Sequence, residues 1–152
     1  MKQATLEVTS TAFNKNSSIP ATYTCDGENI SPSLSIQGIP ESAAYMAIIL
    51  DDPDAPGGTF THWMLWDMAA TSRIEENSQP EGTVGQNDFG KYNYMGPCPP
   101  GGEEHRYFFK VYALDSRLDL GADTSKETLE DTLQNKAIAY GELVGTYKRI
   151  KS

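Results

Sequence analysis

Three short apolar runs constrain this chain most. Residues 43–50, Ala43-Ala44-Tyr45-Met46-Ala47-Ile48-Ile49-Leu50, contain no strongly polar break. A run this short, without helical periodicity, reads as a strand covered on both faces. Thr61-His62-Trp63-Met64-Leu65-Trp66 is a second such run. Residues 106–114 form a third and partly alternate. Successive strand side chains point to opposite faces, so Tyr107, Phe109, Val111 and Ala113 share one face, with Arg106 and Lys110 on the other. Residues 138–150 are β-prone, with Gly141 and Gly145 as bulges or points of close approach, and residues 5–9 make a weaker strand. One helix is predicted. Thr124-Ser125-Lys126-Glu127 fits a capping box in which the Thr124 hydroxyl accepts from a backbone amide and Glu127 reaches back. Leu129 and Leu133 then lie on one helical face. Many strands and one late helix predict a mainly β protein, an antiparallel sandwich with one or two short helices.

A chain of 152 residues buries roughly two-thirds of its unfolded surface. It can hold a core without disulfides or metal, and residues 1–152 are read as one domain. The formal net charge is −9, from 12 basic and 21 acidic residues, with no basic run. Nucleic-acid surfaces need clustered Lys and Arg, so that class is excluded, as is adhesion to an anionic membrane. No stretch approaches the roughly 20 apolar residues of a membrane span, and the N-terminal residues lack the apolar core of a signal peptide. The expected location is cytoplasmic. Asn16-Ser17-Ser18 and Asn29-Ile30-Ser31 match glycosylation sequons, which carry little weight without a secretion signal. Cys25 and Cys98 lie 73 positions apart, which is no metal-ligand spacing. Two reduced thiols are the expectation; both stand in motif-like segments, which leaves a disulfide near a site as the alternative.

The residues able to do chemistry sit at strand starts. Of the two histidines, His62 opens a buried strand after the turn Asp51-Asp52-Pro53-Asp54-Ala55-Pro56-Gly57-Gly58. His105 opens another after a Gly/Pro-rich stretch, and by alternation it faces inward with Tyr107 and Phe109. Each could be a buried structural residue; their matching positions favour a shared site. The prolines stiffen the turn that carries Asp52 and Asp54. Turn chemistry explains aspartates there; a functional reading has one carboxylate orient a histidine or receive a cationic amine. Residues 82–102 hold six of the 13 glycines and three of the nine prolines. A loop this long in a compact chain is usually functional or disordered, and Phe89, Tyr92 and Tyr94 argue for order. Within it, Gly96-Pro97-Cys98-Pro99-Pro100 leaves the Gly96 and Cys98 amides as the free donors, able to cradle an anion. Residues 85–92 nearly match a phosphate-binding P-loop, but Tyr92 stands where Ser or Thr must hold magnesium. With no strand expected before it and no helix after it, a nucleoside triphosphatase is rejected.

Asp52-Pro53-Asp54-Ala55-Pro56, Thr61-His62-Trp63, Gly96-Pro97-Cys98-Pro99-Pro100 and His105-Arg106-Tyr107 resemble, in order and spacing, the signature blocks of the phosphatidylethanolamine-binding (Raf kinase inhibitor protein-like) family. The Pro-Cys-Pro-Pro form, with Cys25-Asp26-Gly27 and Ser31-Pro32, is similar to its bacterial and archaeal branch. The resemblance covers essentially the whole chain. It implies a two-sheet antiparallel β-sandwich with a small surface pocket for phosphate, acetate and phosphoethanolamine-like groups. Matching positions place Asp52, His62, Gly96, His105 and Tyr107 in that pocket, with Pro56 and Pro97 shaping its wall; Asp54, on the same stiff turn as Asp52, is counted with the ligand-binding residues. Two departures stand out. Ile36 occupies a position where relatives commonly have tryptophan, and the chain ends without the C-terminal helix that borders the pocket in animal members, which weakens a kinase-regulating role.

The resulting expectation is a non-enzymatic binding protein for a small anion or phospholipid headgroup. It needs no cofactor or metal, and a protein partner and a homodimer are carried from the family. In that mechanism protonated His62 and His105 donate to an anionic oxygen, the Gly96 amide adds a donor, Asp52 orients a histidine and Tyr107 supplies a hydroxyl or a wall. The rivals are a protease or kinase inhibitor that uses the pocket as an anchor, and a hydrolase. The hydrolase would use a metal on His62, His105, Asp52 and Asp54, or Cys98 as a nucleophile activated by His105.

Overall fold

The computed structural model describes residues 4–149; residues 1–3 and 150–152, including the last position of the predicted C-terminal strand, lie outside the described residues. Among the described residues the strands are β1 (Ala4–Thr5), β2 (Glu7–Thr9), β3 (Leu34–Gln37), β4 (Tyr45–Asp52), β5 (Phe60–Ala69), β6 (Arg73–Ile74), β7 (Thr83–Val84), β8 (Glu104–Leu114) and β9 (Ala139–Lys148). One α-helix, α1, spans Lys126–Lys136, and Ala21–Tyr23 forms a 3₁₀ turn. Strands in the order β1-β9-β8-β4-β5-β7 make a large sheet, and β2-β3-β6 a small one. Neighbouring strands pair antiparallel except β1, which runs parallel to β9. The single strand expected over residues 5–9 is split: β1 pairs in the large sheet, and β2 crosses to the small one.

The large sheet is covered on both faces, which is why its central strand reads as an unbroken apolar run. Met46, Ile48 and Leu50 of β4, Trp63 and Leu65 of β5, and Tyr107, Phe109 and Val111 of β8 pack with Val8, Leu34, Ile36 and Ile74 of the small sheet. On the other face Ala47, Ile49, Met64 and Trp66 pack with Leu129 and Leu133 of α1. These two leucines are fully buried, and each contributes about 2 kcal/mol by leaving water. The helix begins one residue later than the capping box predicts. Ser125, not Thr124, is the N-cap, and its hydroxyl accepts from the Thr128 amide. Glu127 falls in the first turn, where the helix dipole favours a carboxylate.

β9 pairs with β8 without a register shift, so Gly141 and Gly145 are points of close approach, not bulges. A Cβ there would meet the Leu6 carbonyl and the Ile19 and Phe13 side chains, respectively. The bulges lie between β4 and β5, where the register shifts between Met46 and Ile48 and again between Leu50 and Asp51. The second shift positions the candidate site.

Candidate functional site

β4 ends in two buried aspartates, and strand alternation sends them to opposite faces. Asp52 continues the row of Met46, Ile48 and Leu50. Its Oδ1 accepts the Asp54 amide at 2.8 Å, a local turn bond that suits aspartate before a proline-stiffened corner. Asp54 then grips the start of β8. Its Oδ2 accepts the Arg106 backbone amide and Nε, and its Oδ1 accepts Nη2, each at 2.9 Å. The hydrogen bond from Arg106 pulls the Asp54 pKa down to about 2, against burial. The cation that Asp54 receives is therefore the protein's own guanidinium.

That clasp sets His105 beside Asp52. The ring is 3% exposed. Nδ1 lies 2.7 Å from Asp52 Oδ2, and Nε2 lies 3.2 Å from Glu103 Oε1. Burial disfavours a charge on the ring, but the hydrogen bonds and charges of Asp52 and Glu103 outweigh it and raise the pKa above 6.5. Two carboxylates can each accept, so the doubly protonated ring satisfies both contacts.

His62 reaches the same region by a different route. Leu50 pairs with Trp63 and Asp51 with Thr61, which leaves His62 as the extra residue of a β-bulge. Strict alternation from Trp63 and Leu65 would turn it toward α1. The bulge turns it to the face of Tyr107, whose ring centroid is 5.4 Å away and edge-on. Nδ1 is 2.8 Å from the Met95 carbonyl. A carbonyl only accepts, so Nδ1 carries the hydrogen, and the Nε2 of the neutral ring is an acceptor. Burial pushes the His62 pKa down. The expectation of two equally protonated donors is thus corrected in direction: the surroundings of His105 favour its charged form, and burial of His62 disfavours its own.

A cavity of about 300 Å³ opens between these elements. It brings together Asp52, Pro56, His62 and His105 of the predicted set, and adds Ala55, Phe60, Phe89, Cys98, Pro99 and Pro100 to its lining. Tyr107 is fully buried and stacks under His105 with ring centroids 6.5 Å apart. Its hydroxyl is held un-ionised first by burial and then by the Asp52 charge. Gly96 and Pro97 are not among the residues that line the cavity. The Gly96 amide is not free, because it donates to Asn29 Oδ1 at 2.7 Å. A Cβ at Gly96 would sit 1.9 Å from the Tyr23 carbonyl oxygen, so the glycine allows close approach of backbone to backbone. Cys25 and Cys98 form a disulfide, which corrects the expectation of two reduced thiols, and the Cys25 amide donates to the Pro97 carbonyl at 3.1 Å. Together these contacts fasten the Pro-rich wall to the segment after the 3₁₀ turn.

The residues missed in the sequence come mostly from the long loop. A short strand, β7, does precede the P-loop-like stretch, but a turn follows it. Asn87, 3% exposed, knits this turn. Its amide donates to the carbonyls of His62 and Asn93, and its oxygen accepts the amides of Phe89 and Lys91. The Phe89 ring is thereby held 5.3 Å from His62 and 4.8 Å from Phe60, edge-on to both. No group of three or more His, Cys, Asp or Glu among the described residues is arranged to hold a metal ion.

Comparison with known proteins gives a consistent answer. A model of the family described as phosphatidylethanolamine-binding protein matches residues 9–148. A UPF0098 protein of Pyrococcus horikoshii is 46% identical over 149 residues, covering 92% of this chain and 75% of its own. The crystal structure of a phosphatidylethanolamine-binding protein homologue from Chlamydia trachomatis superposes with a TM-score of 0.89 at 36% identity, covering 97% of this chain and 99% of that one. Escherichia coli YbcL, described as a new member of the mammalian family, superposes with a TM-score of 0.87 at 30% identity, covering 95% and 98%. Signature blocks, sandwich and relatives converge: the chain belongs to the phosphatidylethanolamine-binding protein family.

Proposed function

We propose that this protein binds a small phosphate- or carboxylate-bearing ligand in the cavity at the ends of β4, β5 and β8, without chemical turnover. The observation that carries the reading is His105, a buried imidazole backed by Asp52 at the floor of a cavity with largely apolar walls. A buried cation that holds one permanent acceptor on Nδ1 can offer Nε2 to an anionic oxygen, and a charge-assisted bond of this kind contributes about 1.5–3 kcal/mol. His62, as a neutral acceptor, suits a ligand that keeps a proton, such as a hydrogen phosphate. Phe60, Phe89, Pro56 and Pro99 supply the wall for an apolar portion. Free phosphate and a phospholipid headgroup share this chemistry.

The hydrolase readings fare worse. The relatives' names denote no enzyme, and Cys98 is spent in a disulfide, so it offers no thiolate for His105 to activate. The cytoplasmic placement also meets a physical objection, because disulfides persist mainly in oxidising compartments, intracellular proteins of hyperthermophiles excepted. A second function is favoured by one observation: among the described residues Phe89 (38%) and Tyr92 (52%) are the exposed large hydrophobic ones, and Phe89 also lines the cavity. An aromatic rim suits a protein partner whose anionic group anchors in the pocket.

Calorimetric titration with acetate, inorganic phosphate and phosphoethanolamine tests the main reading. The wild type should bind at least one of them, and His105→Gln should lose about tenfold or more in affinity. His105→Gln binding as tightly as a surface variant such as Lys15→Ala would place the site elsewhere.

A further inference from the structure

His105 makes two carboxylate contacts of very different character. Asp52 is an integral part of the fold: its side chain is 4% exposed, its oxygen lies 2.7 Å from Nδ1, and the Asp54 amide holds its other oxygen. Glu103 is a visitor. Its side chain is 57% exposed, its Oε1 lies 3.2 Å from Nε2, and it extends from a turn in which Gly102 has φ +84° and the Glu103 amide donates to the Pro100 carbonyl at 3.2 Å. Because Asp52 occupies Nδ1, Nε2 is the only nitrogen of this ring that a ligand in the cavity can use. Glu103 already stands there.

We infer that Glu103 is a tethered internal competitor, a carboxylate that fills the anion position at His105 Nε2 and must swing into solvent before an external anion binds. This deepens the proposed function and rests on it. The physical basis is the asymmetry just described. An exposed, single-contact ion pair is worth little, so displacement is cheap. A competitor fixed to the chain is nevertheless always present, and it filters out anions that form a weaker bond than its own. It also keeps the buried cation satisfied when no ligand is bound, so the empty pocket does not carry an unpaired charge.

The test is titration of acetate and of inorganic phosphate, near pH 5.5 so that His105 is protonated throughout, into wild type, Glu103→Ala and Glu104→Ala. Glu104 is the adjacent exposed acid at the start of β8, and its loss changes the surrounding charge equally without opening Nε2. Glu103→Ala should bind both probes about fivefold more tightly than wild type, and Glu104→Ala should differ from wild type by less than twofold. Equal gains in the two variants would reduce the effect to a general field and overturn the inference. Unchanged or weaker binding by Glu103→Ala, with wild type still binding, would overturn it while leaving the anion pocket in place. Binding by none of the three proteins would overturn the pocket reading itself, and the inference with it.

Discussion

Asp51 and Asp52 are adjacent and almost equally buried, at 1% and 3% exposed, yet they serve opposite faces of the large sheet and do different work. Asp51 faces α1. Lys110 Nζ lies 3.0 Å and Lys126 Nζ 2.8 Å from its carboxylate, and the Thr61 hydroxyl donates to it at 3.1 Å. Asp52 faces the small sheet and meets one histidine and one turn amide. The cavity beside Asp51, about 480 Å³, is larger than the histidine pocket. Size therefore does not choose the site. Two lysines pair with Asp51, which makes it structural. Asp52 is paired with a histidine, a side chain whose charge can change, so its surroundings can respond to a ligand or to pH.

The comparison breaks if the two carboxylates prove interchangeable. The largest effect should be Asp51→Ala, which strands two half-buried ammonium groups and should cost about 3 kcal/mol of stability in chemical denaturation, with acetate affinity of the folded protein nearly unchanged. Asp52→Asn should cost less stability, about 1–2 kcal/mol, but should lower the His105 pKa and weaken acetate binding about tenfold. Reversal of that pattern would assign the responsive role to the wrong aspartate.

The pH dependence sharpens the contrast within the pocket. The folded pKa of His105 is raised, so its contribution to stability is complete below about 6.5 and is lost as pH rises through the raised value. The folded pKa of His62 is lowered, so its contribution is complete above about 6.5 and is lost as pH falls toward the lowered value. Denaturation midpoints across this range should therefore lose their alkaline decline in His105→Gln and keep it in wild type. The smallest effect should be Asp54→Ala. Its partner Arg106 is largely exposed, so the loss of stability should be smaller than for either of the buried aspartates. That contribution is present above pH 3.8 and disappears as pH falls through about 2.

Much of this was legible in the sequence, for identifiable reasons. The apolar run of β4 required cover on both faces, and the sheet has it. Alternation along β8 placed His105, Tyr107 and Phe109 inward together. The turn from Asp52 to Pro56 lies at the pocket because rigid corners hold their residues wherever the strands end. His62 was assigned to a shared site by its strand-start position, matching that of His105, and by the family pattern; alternation from Trp63 sends it the wrong way, and a one-residue bulge leaves no mark in composition. Gly96 was misread because a glycine signals close approach without saying to what. Cys25 and Cys98 could not be paired from a spacing of 73 residues, because the loop between them fixes no distance. Glu103 was invisible as one acid among many, since only the side-chain direction places it on His105.

With two histidines in the chain, imidazole NMR titration reads the central claim directly. Following both rings from about pH 5.5 to 8.5, with and without acetate, should give a His105 pKa above 6.5 that rises further on binding, and a His62 pKa below 6.5. Acetate affinity should fall as pH passes the His105 value. Coincident pKa values for the two rings, or an acetate affinity that stays constant across the range, would contradict the account.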